Sequence, residues 1–147
     1  MSIITSYHAH IYFDGSSRQK ARQLSEAGSQ AFRLSVGPLH DKPVGPHLRG
    51  SCRLAFNADQ FAQVIPWLVV NRGGLTVFAH AVTGDTLKDH TDHVLWLGVS
   101  EPISVSALST RLRSLASIGH SQALAQGQLK HRRPPRGEQH QPNGHPP

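Results

Sequence analysis

Apolar residues recur along this chain at two periods, and the periods take turns. In residues 7–13 every second side chain is apolar (Tyr7, Ala9, Ile11, Phe13), which is the period of a strand. Residues 16–32 change to helical spacing, with Ala21, Leu24, Ala27 and Ala31 as the stripe and Ser16 with Gln19 at the spacing of a capping box. Residues 34–39 read as a short strand, and Pro43, Gly45 and Pro46 make 41–46 a loop. Alternation returns over 48–56. Asn57 and Gln60 repeat the capping-box spacing ahead of a helical face formed by Phe61, Val64, Ile65, Leu68 and Val69. That helix ends at Gly73-Gly74, and Pro66 within it should kink it or delay its start. Residues 75–82 and 94–99 are two further strands, and 104–118 is a helix candidate. The order β-α-β-β-α-β plus an extra strand is the split βαβ, ferredoxin-like arrangement: an α+β fold with helices on one face of an antiparallel sheet.

Alternation also sorts the other face. If the apolar set of the first strand packs on the helices, His8, His10 and Tyr12 point to the uncovered side. In the third strand Leu48, Cys52, Leu54 and Phe56 mark the core, while His47, Arg49, Ser51 and Arg53 mark the open side. Turning the more polar set of the fourth strand outward brings His80 to the same face. A ferredoxin-like sheet sets its first strand between the third and the fourth, so these histidines share one surface. Two imidazoles two residues apart on a strand can bind one ion, a third completes a facial set, and neutral imidazole suits iron, zinc, copper or nickel. His47 is expected toward the Asp14 end, away from His80, where it can face a substrate. Arg49 and Arg53 beside a metal would suit a carboxylate-bearing substrate through bidentate pairing. Residues 83–93 form a polar loop in which Asp89-His90 can supply a general acid or base. Asp14, Asp85 and Asp89 are the candidates for a carboxylate ligand.

Charge changes the picture less than its total suggests. The 147 residues hold 15 Lys+Arg against 9 Asp+Glu, a net charge of +6, and the sequence pI is near 10.3. A balance of that sign invites a nucleic-acid partner. Residues 1–110, however, hold nine basic and eight acidic residues, a net of +1, whereas 111–147 hold six and one, a net of +5. Residues 119–147 contain no aromatic or β-branched residue and carry five of the ten prolines, a composition that cannot offset the entropy of ordering. A domain over 1–118 and a disordered basic tail over 119–147 follow. Nucleic-acid binding would then belong to the tail alone, through Lys130-His131-Arg132-Arg133. A single cysteine, Cys52, excludes an intramolecular disulfide and any multi-cysteine zinc module, and reads as a small core residue. The first residues carry no signal-peptide pattern, and no stretch reaches the ~18–20 apolar residues of a membrane span, so a cytoplasmic chain with no membrane partner is expected. An exposed sheet face is also a surface on which a homodimer can form.

Several motifs occur together in one order: Tyr7-His8-Ala9-His10-Ile11-Tyr12-Phe13-Asp14, His40-Asp41-Lys42-Pro43-Val44-Gly45-Pro46-His47, Val64-Ile65-Pro66-Trp67-Leu68, Asn71-Arg72-Gly73-Gly74-Leu75, His80, Thr83-Gly84-Asp85, Asp89-His90-Thr91-Asp92-His93 and Trp96-Leu97-Gly98. Over about residues 6–99 the chain resembles the DOPA 4,5-dioxygenase-like family. It departs at Ala81, where the family usually has Pro after the histidine, a change that can loosen the turn aiming His80. The resemblance implies extradiol cleavage of a catechol, a small DOPA-like aromatic diol, by O2 at a mononuclear non-haem Fe(II). Carried over by motif, and divided by strand geometry, His8, His10 and His80 are the metal ligands. His47 and His90 are carried over as acid/base or substrate residues, and the strand faces, not the motifs, put Arg49, Arg53 and Tyr12 on the substrate side. The alternative is a metal- or aromatic-binding protein on the same fold without turnover.

Overall fold

The computed structural model describes residues 4–109. Five strands, β1 (Ser6–Phe13), β2 (Ser35–Val36), β3 (Gly50–Asn57), β4 (Val77–Val82) and β5 (Val94–Leu97), form one sheet in the spatial order β2-β3-β1-β4-β5. Every neighbouring pair is antiparallel. Helices α1 (Arg18–Phe32) and α2 (Phe61–Asn71) supply the second layer, and a short helix α3 (Thr86–Thr91) precedes β5. This is the ferredoxin-like α+β arrangement with its extra strand. The chain is helical again from 105 to 109. The remainder of the 104–118 helix, the boundary at 118 and the basic tail lie outside the described residues.

β1 is the middle strand, and its alternation decides both faces. Ala9, Ile11 and Phe13 join Cys52, Leu54, Phe56, Val77 and Ala79 in the core beneath the helices. Each large apolar side chain buried there contributes ~1.5–3 kcal/mol, so a one-residue slip, which would exchange this set for the histidines, is strongly disfavoured. Gly50 is required where β3 crosses Phe13: a Cβ there would lie 2.8 Å from both the Phe13 ring and its carbonyl oxygen.

The helices differ from the apolar stripes in instructive ways. α1 buries Ala21, Leu24, Ser25 and Gly28, whereas Ala27 and Ala31 are exposed. Close approach explains this, because Gly28 leaves room for the Trp67 ring, which a Cβ would meet at 3.3 Å. The capping box at Ser16/Gln19 does not form. Ser17 is the N-cap, and the Asp14 carboxylate instead accepts from the backbone N–H groups and hydroxyls of Ser16 and Ser17. The second box does form, with Asn57 N–H donating to Gln60 Oε1 at 3.0 Å ahead of the single 3-10 turn Ala58–Gln60. α2 runs through Pro66 without ending. Pro66 and Ala62, whose carbonyl loses its helical partner, both face solvent, where water can satisfy it. Val69 is exposed rather than on the buried face.

Candidate metal centre

The face away from α1 and α2 is not open. His10, Tyr12, His47, Phe78 and His80 on or over it are all buried. Two segments roof it. The turn before β3 closes through paired backbone bonds between Val44 and His47, and Ser104 N–H donates to the Pro46 carbonyl at 2.8 Å. Arg49 joins the same two segments by a two-bond pair with Glu101, at 2.8 and 2.9 Å. Regular β3 begins only at Gly50, so Leu48 escapes the alternation and is exposed instead of lying in the core.

Under this roof the histidines converge. His8 and His80 are direct partners across β1 and β4, with ring centroids 5.2 Å apart. His10 and His80 bring their Nε2 atoms to 3.3 Å. His8, His10 and His80 each offer a ring nitrogen within 4.8 Å of the others. His47, expected far from His80, is folded back by the 44–47 turn, with its ring 4.0 Å from that of His10. His90 reaches in from α3, a helix where the sequence suggested an irregular loop, and its ring is 4.1 Å from that of His80. His10, His47 and His90 form a second three-nitrogen group within the same 4.8 Å, so five imidazoles cluster in two groups that have His10 in common.

The donor set fits a transition-metal ion. Two nitrogens about 2.1 Å from one ion lie roughly 3.0–3.4 Å apart across a square or tetrahedral angle, which accommodates the His10–His80 spacing. Protonation does not compete at neutral pH. Burial, with the Arg53 charge second, lowers His8 to about 4. Burial lowers His47 to about 4, and lowers His80 to about 4 against the hydrogen bond its ring makes to the Ala81 carbonyl. Burial and then the neighbouring His47 hold His10 well below its ordinary value. The lone pairs of these four are therefore available, and none of the four carries an imidazolium charge that would repel a cation.

No carboxylate joins either group. Asp14 is held at the start of α1, Asp85 caps α3 by accepting from Lys88 N–H, and Asp89 accepts from the N–H and hydroxyl of Thr83 and from His93 Nδ1. Burial pushes the Asp89 carboxyl up, but these hydrogen bonds outweigh it and leave the group below its ordinary value.

The residues expected on a substrate divide. Arg53 is opposite His10 in the β1–β3 register, is exposed, and has no ion-pair partner among the described residues. Arg49 is instead engaged by Glu101. Tyr12 is only 1% exposed, and its hydroxyl lies 2.7 Å from His47 Nδ1, so it supports a histidine instead of reaching into the pocket. Burial, with Glu101 adding to it, raises the Tyr12 phenol and keeps it protonated. Two walls were missed from the sequence: Phe78 and Trp96, paired across β4 and β5 with ring centroids 4.7 Å apart. Their signal was parity, because Phe78 is two residues before His80 on the same face.

The Ala81 departure leaves the aim of His80 intact. The Ala81 carbonyl accepts from His80 Nδ1 at 2.8 Å, and Ala81 N–H, which a proline would lack, donates to the His93 carbonyl.

A family model described as the Dopa 4,5-dioxygenase family matches residues 7–107, a span that takes in all five imidazoles and both walls. The chain belongs to the Dopa 4,5-dioxygenase family. It is 28% identical over 152 residues to the DOPA 4,5-dioxygenase of Amanita muscaria, covering 90% of this chain and 64% of that protein. It is 32% identical over 113 residues to an uncharacterised 21.2 kDa protein of Botryotinia fuckeliana, covering 69% and 62%. The chain thus spans a little under two thirds of the length of these curated relatives. A crystal structure of a candidate dioxygenase from Nostoc punctiforme superposes with a TM-score of 0.71 at 40% identity, covering 73% of this chain and 93% of that one. In this family member, among the described residues, no helix is long and apolar enough to cross a membrane.

Proposed function

We propose that this chain is an extradiol-type ring-cleaving dioxygenase that inserts O2 into a catechol, a DOPA-like aromatic diol, with a mononuclear non-haem iron. The observation that carries the reading is the convergence of five imidazoles, neutral where burial acts on them, from β1, β4, α3 and the turn before β3. Family membership and the name of the Amanita muscaria relative support the same class of reaction.

His8, His10 and His80 would hold Fe(II), which when bound supplies a site where a catechol and O2 are activated in a fixed relative geometry. His47, its ring 4.0 Å from that of His10, and His90, its ring 4.1 Å from that of His80, would handle the diol protons. Phe78 and Trp96, packed against each other, would give an aromatic ring apolar partners. Arg53 suits a carboxylate on the substrate side chain.

Protein loaded with Fe(II) without oxygen, then mixed with a panel of catechols and O2, is expected to consume equimolar O2 and release a yellow, ring-opened product. Iron-loaded protein that takes up no O2 with any of the panel overturns the reading and leaves a metal- or aromatic-binding protein on this fold.

A further inference from the structure

We infer that Tyr12 and the Thr86 carbonyl give the two proton-handling histidines opposite polarity, so that His47 presents an N–H to the pocket and His90 presents a lone pair. The consequence for catalysis rests on the dioxygenase reading; the hydrogen bonds do not. A carbonyl oxygen only accepts. His90 Nδ1 lies 2.8 Å from the Thr86 carbonyl, so Nδ1 carries the hydrogen, and a neutral ring then leaves Nε2 as a lone pair. His80 is fixed in the same sense by the Ala81 carbonyl. His47 has a different partner, the Tyr12 hydroxyl at 2.7 Å, which can donate or accept.

Burial decides the direction. Tyr12 is 1% exposed, and among the described residues its hydroxyl has no other acceptor. If His47 donated, the phenolic hydrogen would be left unmet in the interior. Tyr12 therefore donates, His47 Nδ1 accepts, and His47 Nε2 carries the hydrogen. Tyr12 is a positioning residue acting through His47.

One consequence follows. On the dioxygenase reading the pair divides: His90 Nε2 would accept a hydrogen bond from a diol O–H, and His47 Nε2–H would donate one to a diol oxygen.

The tautomers can be read directly from the full chain labelled with 15N-histidine, by long-range 1H–15N correlation, both metal-free and with Zn(II) as a diamagnetic probe. The expected pattern is His47 as the Nε2–H form and His90 as the Nδ1–H form. In Tyr12→Phe the His47 nitrogens should lose the single-tautomer pattern while His90 keeps its own. His47 found as the Nδ1–H form in the unaltered chain overturns the inference. A turnover arm is independent: His47→Gln, which keeps an N–H near the Nε2 position, should stay within about tenfold of the unaltered chain, whereas His47→Ala should lose roughly 100-fold or more. Equal loss in both variants also overturns it. Absence of O2 uptake in the unaltered, iron-loaded chain strikes the dioxygenase reading and leaves the tautomer result standing.

Discussion

His10 and His80 are seventy residues apart in the chain, yet their Nε2 atoms are 3.3 Å apart. Register produces this. β1 and β4 pair His8 with His80, and His10 lies one same-face step along β1. The three rings therefore stand on the two central strands, where backbone bonding on both edges holds them. On the proposed assignment, replacing any one by alanine would remove a metal ligand. We expect His8→Ala, His10→Ala or His80→Ala to weaken Fe(II) or Zn(II) binding by more than roughly 100-fold, beyond the range of an outer-shell change. Metal content and competition titration check this. Undiminished metal in His80→Ala would remove that histidine from the ligand set.

The buried imidazoles also make the metal-free protein sensitive to acid. His80 titrates near 4 in the fold against 6.5 for the unperturbed group. Between those values the unfolded chain holds a proton that the fold does not, so stability rises with pH across that window and is lost as pH falls from about 6.5 toward 4. His80 treated alone would contribute on the order of 3 kcal/mol over the whole interval, and the coupled neighbours His10 and His47 act in the same direction. Metal-free protein should show a falling melting temperature from pH 7 to pH 4.5, and His80→Ala a shallower fall. Equal slopes would deny His80 this role.

Arg53 and Arg49 should separate cleanly in kinetics. Arg53→Gln is expected to lower kcat/KM by about 10- to 100-fold for a catechol bearing a carboxylate, the range of a charge-assisted bidentate pair, and to leave unsubstituted catechol unchanged. Arg49→Ala instead loosens the roof it makes with Glu101. That pair is partly exposed, so a double-mutant cycle should give a coupling of about 1 kcal/mol or less, with no dependence on the substrate's carboxylate. A substrate-selective defect in Arg49→Ala would reverse the assignment.

Asp89 is 3% exposed and accepts three hydrogen bonds, which tie α3 to the end of β4. Asp89→Asn keeps the shape but loses the charge and part of the acceptor capacity. Chemical denaturation should show a loss of about 1.5–3 kcal/mol. Because His90 is on α3, turnover should fall further than metal content. A parallel loss of metal would place Asp89 closer to the ions' donors than the hydrogen bonds indicate.

Much of this protein is written in local pattern. Period-two alternation in β1 and β4 already separates Ala9, Ile11, Val77 and Ala79 from His8, His10 and His80, because burial of one face is the largest local term and a strand alternates whatever surrounds it. The order of periods was enough for the sheet topology. What it could not reach was anything built from contacts with no period: the back-folded turn that carries His47 over His10, the α3 helix that carries His90 in, and the Arg49–Glu101 pair that closes the roof. The α1 stripe failed for a related reason, since the Gly28 position is chosen by the Trp67 ring of another helix and not by hydrophobicity. Sequence alone determined which face would bear histidines. Tertiary structure decided that the face is covered, that five rings meet there, and that Arg49 and Tyr12 are bound to protein partners, because hydrogen bonds and close packing depend on distances between segments far apart in the chain.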